Sequence, residues 1–380
     1  MRRLWHLTVA VAIVWALMGG AVPAWAATAD APTPTWQTNG RVLAVAYSGT
    51  TVYLAGSFTS VRTPGDPPGV GEVTRNRAAA FDTNTGELLP WNPNLNGEVR
   101  ALAVAGQTVY LGGSFTTVAG LTRRRLAAVD ANSGQPSVWN PNPSAKVNAL
   151  ATDGLTVWLG GTFTSVGGNS RLRLAAVSAT TAAVTSFRAD ISGEASGSGP
   201  YVNALALDDS GLYVAGAFST IGGVSRTVSA RVDPVSGLVA TWRAATRYTA
   251  TAIAVAPDGA QVYVAGRGPG GYVAAFRGDT GATVWSRNPD GDVQALAATA
   301  ADVYIGGHFD VVGGLTRHHL ANLGPTSGAV GSWDPGADSS EGVFVLVTDN
   351  STRLWVGGQF TKTGNHKSID QQGFAQYAIT

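Results

Sequence analysis

Five arginines recur at matching places along the chain and form its most regular set of charged side chains. Each precedes an apolar segment rich in alanine, and three are followed two positions later by a second arginine. A guanidinium group binds carboxylates or sulfates through paired hydrogen bonds, so a ring of such residues would suit an acidic polysaccharide. A residue repeated in most units can equally be structural, bound to carbonyl groups of its own unit, and both interpretations stay open. The five are Arg75, Arg123, Arg171, Arg226 and Arg317.

A second set of positions varies where the residues around it are regular. It follows the Val or Thr near the start of an apolar segment and contains Leu43, Arg100, Asn148, Asn203, Ala252, Gln294 and Phe344. Variation at one position of a regular repeat would build an asymmetric site where the repeats converge. We therefore take Arg100, Asn148, Asn203 and Gln294 as candidate ligand-binding residues. The alternative is a solvated entrance that holds no ligand.

Both sets are positioned by a heptapeptide that occurs seven times. It reads VYLGGSF at Val109–Phe115, and a divergent copy, VYVAGRG, stands at 262–268. A repeat of about 50 residues with several short strands is typical of a β-propeller. The sequence thus predicts an all-β, seven-bladed β-propeller with four-stranded blades. An alanine-rich inner strand comes first, then the heptapeptide strand, a third strand such as 126–130, and an outer strand at an aromatic residue such as Trp139.

The last repeat ends after its third strand, and the missing strand is predicted at the other end of the chain. Trp36–Gly40 has the outer-strand pattern and precedes the first inner strand. We expect it to pair with the C-terminal strand and complete the seventh blade. Such a closure would leave the ring without an open edge.

The N-terminus reads as an export signal. Two arginines, an apolar run from Leu7 to Leu17 and the exit Ala24-Trp25-Ala26 predict a signal peptide over 1–26, with a linker over 27–35 and one propeller domain over 36–380. An N-terminal membrane anchor is the alternative. The chain has no cysteine, which excludes disulfides, thiolate metal sites and cysteine nucleophiles. With 25 basic residues against 24 acidic ones, the charge balance is not that of a nucleic-acid-binding protein.

The sequence contains no recognisable catalytic or cofactor motif. We find no nucleophile elbow, phosphate-binding glycine loop, zinc-protease histidine pair or calcium loop. His308, His318 and His319 lie near Asp310, but neighbouring residues on a strand point to opposite faces, so we predict no metal site and no cofactor. Carboxylates from different blades could still converge on the channel, because such pairs have no linear signature.

The segments VYLGGSFTTVAG and RLAAVDANSG, followed by a tryptophan, resemble the delta-sixty-repeat propellers of secreted bacterial proteins. This resemblance covers essentially the whole chain after the leader, and it implies an extracellular propeller without assigned catalytic residues. AAFDTNTGELLPW and AAVDANSGQPSVW are also similar to the repeat of quinoprotein dehydrogenases. This chain differs from those enzymes in having seven units and no vicinal cysteines.

Together these features predict a secreted, monomeric, non-catalytic binding or scaffold propeller, with its ligand on the long-loop face at the channel mouth. Its partner would be a carbohydrate or a surface protein, without nucleic acid and without a membrane span after signal cleavage. One alternative is an extracellular enzyme, a hydrolase or lyase acting on polysaccharides at the channel mouth. A second is a structural component of the cell surface that binds protein partners.

Overall fold

A computed structural model describes residues 29–194, 197, 199–246 and 248–379, and every regular element in these ranges is a β-strand. The prediction of an all-β protein is therefore confirmed. Within the same ranges, no helix is long and apolar enough to cross a membrane. The predicted signal peptide over 1–26 lies outside the described residues.

Seven repeated units each contain a sheet of three antiparallel strands, with the heptapeptide strand in the middle. The first strands are Val42–Ser48, Val99–Ala105, Val147–Thr152, Tyr201–Asp208, Ala250–Val255, Asp292–Ala298 and Val343–Thr348. The middle strands are Thr51–Gly56, Thr108–Gly113, Thr156–Gly161, Gly211–Ala217, Gln261–Gly266, Val303–His308 and Arg353–Gly358. The third strands are Ala78–Asp82, Leu126–Asp130, Leu174–Ser178, Ser229–Val232, Tyr272–Arg277, Leu320–Leu323 and Phe374–Ala378.

The middle strands are buried on both faces, which explains their run of apolar residues. In unit two, Val109, Tyr110 and Leu111 are all buried because the sheet is covered on both sides. The glycine pair at the end of the heptapeptide has a steric reason: a Cβ on Gly113 would collide with the carbonyl of Glu98, where the first strand passes close by.

Six units carry a small hairpin between the middle and third strands, in a segment predicted as a plain loop. Unit five has none among its described residues. Each hairpin buries at least one side chain against its unit, as Val118 does in unit two. The hairpins pair Ser60–Arg62 with Glu72–Thr74, Thr117–Val118 with Leu121–Thr122, Ser165–Val166 with Asn169–Ser170, Thr220–Ile221 with Val224–Ser225, Val311–Val312 with Leu315–Thr316, and Lys362–Thr363 with Ile369–Asp370. A further short strand, Ile191–Ser192, pairs with Thr220–Ile221.

The outer strand predicted for every unit is a regular strand only in unit five, where Thr283–Arg287 pairs with the third strand. In units one to four and six it is reduced to a single bridge, for example between Val129 and Pro136. The tryptophan that follows this bridge in units one, two, four and six turns toward the next unit. Trp91 of unit one shows this contact, since its Nε1 donates a hydrogen bond of 3.0 Å to Asp130 O in unit two.

The hydrophobic core is divided into seven clusters, each between two units. The cluster between units one and two contains Trp91 and Leu111. The seventh cluster joins the ends of the chain, because it contains Phe81 of unit one and Trp355 of unit seven. Each first strand also contacts the first strand of the next unit, and that of unit seven contacts that of unit one.

The N-terminal segment contacts both unit one and the C-terminal strand, but not through the predicted pairing. Gln37–Thr38 pairs with the hairpin strand Ser60–Arg62 of unit one, so the prediction that Trp36–Gly40 pairs with the C-terminal strand is wrong. The C-terminal strand instead bridges to Thr33, whose N–H donates to Gln376 O at 2.7 Å. The N–H of Ala29 adds a second hydrogen bond to this strand, to Ala378 O at 3.1 Å.

A buried arginine stabilises the junction between the N-terminal segment, unit one and unit seven. Arg62, 4% exposed, donates from Nη2 to Gln37 Oε1 at 2.8 Å and from Nη1 to Gln372 Oε1 at 2.7 Å. Its Nε donates to Asp66 O at 2.9 Å. Burial lowers the pKa of Arg62. One guanidinium therefore connects the N-terminal segment, unit one and unit seven.

Candidate functional site

Each of the seven first strands contains a β-bulge at its second or third residue, where the pairing with the middle strand shifts by one. A bulge leaves one residue without a cross-strand partner and redirects its side chain. The seven bulge residues all line a single depression of about 130 Å³, together with Arg267. They are Leu43, Arg100, Asn148, Asn203, Thr251, Gln294 and Phe344.

Three neighbouring bulge side chains are held by hydrogen bonds to the following unit. Each donates to the carbonyl oxygen of the residue just before the next bulge residue, so each side chain is fixed by the strand beside it. The distances are 2.9 Å from Asn148 Nδ2 to Val202 O, 2.9 Å from Asn203 Nδ2 to Ala250 O, and 2.5 Å from Thr251 Oγ1 to Val293 O.

Two acceptor oxygens in the depression remain without a partner in the described part of the chain. Asn148 Oδ1 and Gln294 Oε1 are both buried and accept no hydrogen bond. A buried acceptor left without a partner is costly, by about 1–3 kcal/mol. A bound group that carries hydroxyl or ammonium donors would satisfy them.

Two arginines share the depression with these acceptors. Arg100 and Arg267 line the depression, and their side chains are 37% and 58% exposed. Each lies near a carboxylate, Arg100 Nε at 2.5 Å from Glu98 Oε1 and Arg267 Nε at 3.7 Å from Asp292 Oδ2. The Arg100 contact lacks the alignment of a hydrogen bond, so its Nε–H is still unsatisfied.

Lys146, at the start of unit three, adds a further cation near Arg100. Burial and the neighbouring Arg100 lower its pKa, while Glu98 opposes the shift. The structure gives Lys146 no ion pair with a described residue. The side of the depression formed by units two and three is therefore rich in positive charge, with Glu98 as its counter-ion.

Most residues of this depression were predicted from the sequence. Arg100, Asn148, Asn203 and Gln294 lie together in the depression, as does the rest of the variable set except Ala252. In unit five the bulge falls on Thr251, one residue earlier, so the assignment of Ala252 to this set is wrong. Arg267 was not selected from the sequence. Its signal was its place in the divergent copy VYVAGRG, where it is a charged residue inside the heptapeptide.

The repeated arginines lie elsewhere and are bound within their own units. Arg123 donates from Nη1 to Thr122 O at 2.9 Å and from Nη2 to Ser137 O at 2.5 Å. The same two kinds of carbonyl contact hold Arg75, Arg171, Arg226 and Arg317. Each joins the hairpin of its unit to the outer segment, and these contacts favour the structural interpretation of the series.

The residues two positions after these arginines share an uncommon backbone conformation. Arg77, Arg125, Arg173, Val228 and His319 all adopt a left-handed conformation, with φ between 57° and 71°. Non-glycine residues rarely adopt it.

In unit six the rings of His308 and His319 lie 5.9 Å apart, but His318 is paired separately. His318 Nδ1 lies 2.6 Å from Asp310 Oδ1, whereas His319 is buried with its Nδ1 unpaired and a pKa lowered mainly by burial. Across the described ranges, no three histidine, cysteine or acidic side chains are placed to share a metal ion.

Comparison with known proteins gives information about the fold only. No family model matches the chain, and no curated protein matches it. Among solved structures, the computationally designed protein Ika8 is similar with a TM-score of 0.55, over 91% of this chain and 98% of that chain, at 14% identity. At this identity the likeness concerns the fold alone.

Proposed function

We propose that the seven units form a seven-bladed β-propeller that the N-terminal segment closes. Three observations support this arrangement. Core clusters lie between every pair of successive units and between the last and the first. The first strands contact one another in the same order. Finally, seven bulges, one per unit, deliver their side chains to one depression. The resemblance to the delta-sixty-repeat propellers agrees with this fold, and we propose membership of that family.

Within this ring, the protein is a secreted, non-catalytic binding module whose ligand carries an anionic group. The observation that supports this function best is the composition of the central depression. It combines Arg100 and Arg267 with the carboxamides of Asn148, Asn203 and Gln294. Guanidinium groups bind carboxylates and sulfates strongly, and no carboxylate is among the described lining residues. A pair of acids, which a glycosidase would need, is therefore not part of this lining.

The ligand also needs hydrogen-bond donors beside its anionic group. The unpaired oxygens of Asn148 and Gln294 would accept bonds from hydroxyl groups. A hexuronic acid unit provides both features, a carboxylate for an arginine and hydroxyl groups for the carboxamides. Acidic polysaccharides built from such units are therefore the proposed ligand class.

Isothermal titration calorimetry with oligogalacturonate and oligoglucuronate tests this proposal. We expect binding that weakens as salt is added, because screening reduces attraction between exposed charges. Replacement of Arg100 by alanine should weaken binding about 10- to 150-fold, the equivalent of about 1.5–3 kcal/mol for a charged hydrogen bond. Arg277→Ala is the matched control, because Arg277 is an exposed arginine paired with Asp279 outside this depression.

Three results would count against the proposal. The first is a failure of both acidic oligomers to bind, and the second is an equal loss of affinity in Arg100→Ala and Arg277→Ala. The third is release of new reducing or unsaturated ends from the oligomers, which would instead indicate a hydrolase or lyase.

Export itself is tested by mass spectrometry of the secreted protein, which should begin at Ala27.

A further inference from the structure

A second cavity lies at the boundary of units four and five and shares no lining residue with the central depression. Its volume is about 410 Å³, within the range of roughly 300–1,000 Å³ that is usual for small-molecule sites. Its lining includes the rings of Tyr248, Tyr272 and Phe276.

This cavity exists because unit five lacks the small hairpin. In unit two the hairpin residue Val118 packs with Ala127 and Val129 of the third strand. The residues at the same register of unit five are Ala274 and Phe276, and both line the cavity. The space that a hairpin side chain fills in unit two is therefore open in unit five.

Two tyrosines line this cavity, and each ring packs against a glycine. A Cβ on Gly268 would collide with the ring of Tyr248, and a Cβ on Gly266 would collide with the ring of Tyr272. The two rings lie 6.3 Å apart with an angle of 50° between their planes. Gly268, which stands where the regular heptapeptide has a phenylalanine, thus leaves room for the ring of Tyr248.

The polar groups that the described residues give to the cavity are neutral. Tyr272 is 7% exposed, and its hydroxyl makes no hydrogen bond of normal geometry to a described residue, although Thr246 lies near it. Thr283 and Ser286 add hydroxyl groups, and Asn288 adds a carboxamide. Burial raises the pKa of Tyr272, which keeps its hydroxyl protonated.

We propose that this cavity binds a neutral pyranose ring. The C–H face of a sugar ring packs against aromatic side chains, while its hydroxyl groups bond to neutral donors and acceptors at the edge of the site. The tyrosine pair would supply the packing surface, and the Tyr272 hydroxyl, Thr283, Ser286 and Asn288 would supply the edge. This site is independent of the central depression and of the anionic ligand proposed there.

The test is calorimetric titration of the protein with glucose, galactose, mannose, N-acetylglucosamine, cellobiose and chitobiose. We expect saturable binding of at least one of these neutral sugars. Tyr248→Ala should weaken it about tenfold by removing one wall. Tyr272→Phe should weaken it about 2- to 12-fold, because it removes one hydrogen bond and keeps the ring. Ala245→Gln is a second test from an exposed lining position, and it should block entry without touching the core.

Tyr47→Ala is the matched control, because Tyr47 is a half-exposed tyrosine that packs on Trp355 at 5.1 Å, far along the chain from the cavity. It should leave sugar binding unchanged, and Arg100→Ala should do the same. The proposal is overturned if none of the six sugars binds, or if Tyr248→Ala and Ala245→Gln bind as the unchanged protein does. Equal losses in Tyr47→Ala and Tyr248→Ala would also overturn it.

Discussion

Replacing Arg62 by alanine should destabilise the whole protein, because this side chain holds the two ends of the chain together. Its guanidinium makes three hydrogen bonds, to Gln37, Gln372 and the Asp66 carbonyl, all within 2.9 Å. A hydrogen bond to a charged group contributes about 1.5–3 kcal/mol, so the three together would contribute about 4–5 kcal/mol at the lower end. Removing the charge from water, which lowers the pKa of Arg62, offsets part of this. We therefore expect a loss of about 3 kcal/mol.

Urea unfolding followed by tryptophan fluorescence measures this loss, with the free energy extrapolated to water. A second readout is limited proteolysis within residues 29–40, which should become faster once the junction is weakened. The double variant Gln37→Ala/Arg62→Ala should lose less than the sum of the single variants, because the two side chains share one bond.

Arg277→Ala serves as the control here too, and its exposed pair with Asp279 should contribute less than about 1 kcal/mol. The reasoning fails if Arg62→Ala costs no more than this control. It also fails if the effects of Gln37→Ala and Arg62→Ala are simply additive, because the ends of the chain would then be held by other contacts.

Two further predictions concern stability. Asp302 is fully buried, accepts a 2.7 Å hydrogen bond from Asn322, and has a pKa that burial raises above its ordinary value of 3.8. Its raised pKa stabilises the fold below pH 3.8, and this contribution is lost as the pH rises through the folded-state value. Above about pH 4, the free energy of unfolding of Asp302→Asn should therefore rise relative to that of the unchanged protein, by about 1.4 kcal/mol per unit of pKa shift. Urea unfolding at several pH values measures this difference between the two proteins, and a difference that does not change with pH would contradict the prediction. Arg123→Ala should cost about 1–3 kcal/mol in the same assay by removing two carbonyl contacts, yet leave oligouronate binding unchanged. A selective loss of binding would return the arginine series to the functional interpretation.

The heptapeptide made the repeated sheets predictable, because its buried strand and its glycine pair recur with little change. The position of the variable residues followed from the same alignment. In unit five, however, Thr251 and Ala252 fit the pattern equally well, and only the bulge decides which side chain turns inward. A one-residue shift in register moves a side chain to the other face of a strand.

Other features depend on contacts between distant parts of the chain and leave little trace in the sequence. Arg123 donates to backbone carbonyl groups, so the identities of Thr122 and Ser137 could not predict these contacts. The cavity beside Tyr272 arises from a missing hairpin, and its signal was the loss of the regular pattern rather than a motif. The junction at Arg62 joins residues more than 300 positions apart.

The bulges have a consequence for how such a protein can change over time. A bulge residue has no partner across the strand, so its side chain can be exchanged while the pairing around it stays the same. The lining of the depression can therefore change while the backbone stays the same, most freely at Leu43 and Phe344, whose apolar side chains make no hydrogen bond to the next unit. A chain with this backbone could acquire a new ligand by a few substitutions, without loss of the core on which its folding depends.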